Sequence, residues 1–80
     1  MNPPPRRLYA PRPTRVEAGS DGVPIAVGSV AVESVREEWR VEDRWWTLDP
    51  LDRHYFELVL ADGRDLVVFR AGSDWFLQRS

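Results

Sequence analysis

Apolar and polar residues alternate along most of the chain after Arg15, and glycine, proline or aspartate interrupts them at short intervals. The intervening runs are rich in Val, Phe, Trp and Tyr, a composition that fits a half-buried pleated surface. The clearest unit reads YFELVLADGRDLVVFR. A two-residue turn at Asp62-Gly63 sets Leu60 against Asp65, Leu58 against Val67 and Phe56 against Phe69, a mostly apolar face. The other face then carries Tyr55, Glu57, Val59, Leu66, Val68 and Arg70, with Glu57 and Arg70 diagonal across the ladder.

A second hairpin reads VPIAVGSVAVE, with Gly28-Ser29 as a Gly-first turn that places Ile25, Val27, Val30 and Val32 on one face. Pro24 marks an edge strand or a bulge. Beyond the turn the pattern changes phase: Val30 and Val32 are even, whereas Val35, Trp39 and Val41 are odd, between charged Arg36, Glu38, Arg40 and Glu42. Such a shift predicts a bulge or bend near Glu33 to Val35. Val32, Val35 and Trp39 also fit helical spacing, but the alternation continues to Val41 among neighbouring hairpins, which favours a strand. With DWFLQRS as the last strand, the pattern predicts an all-β fold: a single antiparallel meander of five or six strands, as a highly curved sheet or a small SH3-like barrel.

Residues 1–13 depart from this pattern. MNPPPRRLYAPRP is rich in proline and arginine, so an extended arm is expected ahead of a β-domain over residues 14–80. The arm lacks the continuous apolar stretch of a signal peptide or membrane span, which predicts a soluble cytoplasmic protein without membrane contact. All basic residues are arginine, and Arg6, Arg7, Arg12 and Arg15 precede the first acid, Glu17, so a basic arm leads an acidic body in a chain of net charge −2.

Size constrains the chemistry. A domain near 80 residues buries only about 60–65% of its unfolded surface. The four Trp, three Phe and two Tyr are therefore needed first as core. With no cysteine and one histidine, His54, no transition-metal spacing exists; a carboxylate-only magnesium or calcium site stays open without the EF-hand pattern, and no cofactor is implied. The acids in Glu37-Glu38, Glu42-Asp43 and Asp49 to Asp52 are adjacent or clustered rather than visibly convergent, and neither a nucleophile elbow nor a phosphate loop occurs. The expectation is a protein that is not an enzyme. Trp45 and Trp46, adjacent on an extended segment, point to opposite faces, one inward and one outward for contact with a protein or an unstacked base.

The ordered segments WRVEDRWW, DRHYFELVLADG, LVVFR and DWFLQR resemble a small bacterial domain family of unknown function. They also resemble the C-terminal segment of the catalytically inactive Y-family polymerase-like subunit of the inducible mutagenesis cassette. That segment reads G-W-W, R-D-Y-[FY], V-[FY]-R and W-F-L-H-G. The resemblance covers about the second half of the chain. Trp45, Trp46, Arg53, Tyr55, Phe56, Phe69, Arg70, Trp75, Phe76 and Leu77 occupy corresponding positions, while His54 replaces Asp and Gln78 replaces His. The resemblance implies an accessory module of DNA damage tolerance, acting by protein contacts in a translesion-synthesis assembly, with no catalytic residues.

Three uses are therefore expected of the surface. The first is protein-partner binding through Trp45, Trp46, Arg53, Tyr55 and Arg70. The second is single-stranded nucleic-acid binding, with Arg6, Arg7, Arg12 and Arg15 on phosphates and Trp46 stacking. The third is a homodimer, formed when the arm adds to an edge strand of another copy near the Pro24 hairpin.

Overall fold

The structure, a computed structural model, describes residues 11–43 and 51–78. Seven strands follow one another: β1 (Arg12–Pro13), β2 (Val16–Ala18), β3 (Pro24–Val27), β4 (Val30–Asp43), β5 (Leu51–Leu60), β6 (Asp65–Ala71) and β7 (Asp74–Gln78). They form one antiparallel sheet in the order β1-β7-β6-β5-β4-β3-β2, curled into a half-barrel. The class is as expected, and the extra strands come from residues 12–18.

Those residues tie the ends of the sheet together. β1 pairs with β7, Arg12 opposite Leu77 and Pro13 opposite Phe76, and the Thr14 N–H donates to the Trp75 carbonyl at 3.1 Å. Immediately afterwards the Arg15 carbonyl accepts from the Gly28 N–H at 2.8 Å, and β2 runs beside β3. Arg12 and Pro13, expected in the arm, are thus part of the sheet. The outer side of the Pro24 strand, expected as an open edge, is covered by β2 of the same chain. Pro24 does mark a bulge: Glu17 opposes Ala26 and Ala18 opposes Pro24, so Ile25 is the extra residue and is exposed, while Pro24 and Val27 are buried. Ile25 therefore leaves the face expected for it.

The turns set the registers. Gly28, at φ 61°, opens a two-residue turn that faces Val27 with Val30, as expected. The β5–β6 turn differs from expectation, because Leu60 stands opposite Arg64: its N–H donates to the Arg64 carbonyl at 2.8 Å and its carbonyl accepts from the Gly63 N–H at 2.9 Å. The loop is thus Ala61-Asp62-Gly63, a three-residue turn with Gly63 at φ 91°. The Arg64 N–H donates to Asp62 Oδ1 at 3.1 Å and its Nε to Oδ2 at 2.9 Å, holding that exposed carboxyl below the usual range.

One added loop residue moves every side chain of β6 to the other face. Phe56 opposes Val68, Leu58 opposes Leu66, and Phe69 opposes Tyr55. Glu57 opposes Val67, whereas Arg70 opposes His54 on the other face, so no Glu57–Arg70 diagonal forms. The core is Val27, Phe56, Leu58, Leu60 and Val68, surrounded by Val16, Val23, Val30, Val32, Leu66, Trp75 and Leu77. Each fully buried side chain of this kind contributes roughly 1.5–3 kcal/mol.

β4 is a strand throughout, with Glu33 and Arg36 as extra residues at two register shifts. The first lies where the phase change predicted it. The second separates Val35, opposite the core residue Leu58, from Trp39, opposite Tyr55 on the other face. Arg36 reaches across to Asp65 at 3.1 Å.

A Cβ at Gly63 meets no atom within 4 Å, so Gly63→Ala should cost about 1–2 kcal/mol through its positive φ alone. Urea unfolding followed by circular dichroism checks this. An unchanged midpoint would show that the turn does not hold its register through this residue.

Candidate functional site

The register that buries Val68 leaves a transverse row of aromatic rings on the sheet face away from the core. Trp39 of β4, Tyr55 of β5, Phe69 of β6 and Phe76 of β7 are successive cross-strand partners, and Pro13 of β1 continues the row. Trp39 and Tyr55 stack at 5.2 Å with planes 5° apart, Tyr55 and Phe69 tilt at 4.9 Å, and Phe69 and Phe76 stack at 5.2 Å. Contacts of this kind add about 0.5–1.5 kcal/mol each beyond their buried area.

Arg53 binds the row together. Its guanidinium carbon lies 4.6 Å from the Phe69 centroid, a cation–π geometry, and its Nη1 donates to the Tyr55 hydroxyl at 3.2 Å. Its Nε is buried with no hydrogen-bond partner among the described residues. Phe69 is only 2% exposed although it faces away from the main core; Tyr55, Phe76 and Arg53 cover it. Beside it Pro11, Arg53, Phe69, Ala71 and Phe76 line a mostly apolar, open cavity of about 250 Å³.

The opposite face carries a polar counterpart beyond the core. Arg40, His54, Arg70 and Trp75 are successive partners there. Arg40, Asp52, His54, Arg70 and Gly72 line a polar hollow of about 120 Å³. His54 Nε2 lies 2.6 Å from Glu38 Oε2, and its ring stacks on Phe56 at 4.4 Å. The lone histidine is thus held by a carboxylate and a core ring. No group of three or more His, Asp or Glu residues among the described ones could hold a metal ion.

Of the residues expected to bind a partner, Arg53 and Tyr55 are in contact on the aromatic face, while Arg70 lies on the other face beside His54. Trp45 and Trp46 lie outside the described residues, as do Arg6 and Arg7. Arg12 and Arg15 are exposed in and beside β1. The row that joins Trp39, Phe69 and Phe76 to Tyr55 was not anticipated. Their common row depends on the three-residue turn and the second bulge, neither of which alternation alone reveals.

Among the described residues no helix is long and apolar enough to cross a membrane. Comparison with protein-family models, curated proteins and solved structures gives no match.

Trp39 is the row's exposed end and Phe69 its buried support. Trp39→Ala should cost no more than about 1.5 kcal/mol, and Phe69→Ala about 3–5 kcal/mol, by urea unfolding monitored in the far ultraviolet. Equal losses would mean that Trp39 is structural.

Proposed function

We propose that the protein is a non-enzymatic interaction module whose aromatic face holds one apolar or aromatic side chain of a protein partner. The observation that carries this reading is the cavity at the end of the Trp39–Tyr55–Phe69–Phe76 row, rimmed by the Arg53 guanidinium. At about 250 Å³ it falls below the 300–1,000 Å³ of most small-molecule pockets. It suits a single anchor residue. Arg53 and Phe69 line it, and Arg is among the residue types that dominate binding energy at protein interfaces. The sequence resemblance supports placing the module in a translesion-synthesis assembly.

Exposed Trp39 stacked on Tyr55 supports a second reading, a platform for unstacked bases of single-stranded nucleic acid with Arg12 and Arg15 on phosphates. Acidic residues on the same strands, Glu37, Glu42 and Glu57, oppose it electrostatically.

The two readings separate in one pair of assays. Translesion-synthesis proteins retained from bacterial lysate by the full chain should be lost with Phe76→Ala and Arg53→Gln variants whose circular dichroism is unchanged. Tryptophan fluorescence should not respond to single-stranded DNA at low salt. Salt-sensitive quenching by DNA that disappears without residues 1–12 would replace the first reading with the second, and retention unaltered by either folded variant would remove the site.

A further inference from the structure

β4 is bonded on one side to β5 along nearly its whole length, whereas on the other side β3 reaches only Val30 and Ala31. Beyond Ala31, among the described residues, no strand covers that second side. The exposed stretch includes Val35, Trp39 and Val41, at 37%, 36% and 37% exposure. Elsewhere among the described residues the outermost strands are short, β1 lying on β7 and β2 on β3. A long open strand is a template for another strand, and the charges along this one limit what can pair with it.

From the pairing of these charges we infer that residues 37–41 of β4 pair antiparallel with the same residues of a second copy, about a two-fold axis at Trp39. The axis must pass through a residue, because directly opposite residues of an antiparallel pair point to the same face. The ladder is regular from Glu37 onward, after the last bulge, so the candidate centres are few. Centring on Glu37, Glu38 or Arg40 faces each with its own like charge, which is destabilising. Centring on Val41 sets Arg40 against Glu42 but opposes Trp39 to residue 43, an acid, and parts the two Trp39 side chains, whereas centring on Trp39 leaves only the smaller Val41 opposite an acid, Glu37.

Centring on Trp39 sets Glu38 against Arg40 of the other copy, twice, on the polar face. On the aromatic face it brings the two Trp39 rings together, so the row of one copy continues into that of the next. The interface is isologous and closes after two chains. The charges that repel a foreign or slipped strand thus act as register marks for a second copy. This pairing uses the edge of β4 and stands apart from the cavity at Phe76 and from any partner held there.

Sedimentation equilibrium and concentration-dependent amide exchange on the full chain test it. The wild type should be in monomer–dimer equilibrium, with β4 amides of residues 37–41 better protected as concentration rises. Glu38→Arg and Arg40→Glu should each raise the dimer Kd roughly tenfold, by setting like charges opposite twice. The double exchange should restore association. Trp39→Lys, a charge at the centre of an edge strand, should leave a folded monomer by circular dichroism. A wild type that stays monomeric at every concentration, or a dimer indifferent to the single exchanges, would overturn the inference.

Discussion

The three-residue turn at Ala61-Asp62-Gly63 fixes the register of β5 against β6, and most of the structure follows from it. Side chains in a strand alternate with period two, so one residue more or less in the loop exchanges the whole inner and outer sets. With this loop, Val68 and Leu66 fall beside Phe56 and Leu58 and complete the core. Phe69 is sent outward, where a bare phenyl ring would be costly. It is nevertheless buried, because Tyr55, Phe76 and Arg53 close over it. The aromatic face is in this sense a small second core.

A chain this short gains stability by using both faces of its sheet. The inner cluster alone contains few fully buried side chains, and a domain of this size leaves much of its surface in water. Residues 12–18 add to the inner cluster by crossing from β7 to β3 and holding the two ends of the curled sheet together. The outer row adds cross-strand stacking over four strands. The same row leaves an apolar hollow at one end and an exposed tryptophan at the other.

The two faces divide the chemistry. One is aromatic, with the Arg53 guanidinium over the Phe69 ring; the other sets Arg40, His54 and Arg70 against Glu38 and Asp52. The long strand β4 displays both along one open edge: Trp39 belongs to the first face, and Glu38 and Arg40 to the second.

Much of this was already determined by the sequence. Alternation, Gly-Ser and Asp-Gly turns and the phase change after Val32 gave an all-β meander, a strand rather than a helix over residues 32–42, the Gly28 turn and the bulge near Glu33, because these depend on neighbours within a few residues. Arg53 and Tyr55, at positions two apart on one strand, necessarily share a face, and the structure shows them in contact. Only the tertiary structure decided which face Phe69 and Arg70 occupy, that Arg36 is a second bulge, and that residues 12–18 close the sheet. The physical reason is that a two-residue and a three-residue turn differ little in local sequence but oppositely in burial. The choice is made by which register fills the core, and that depends on strands far apart along the chain.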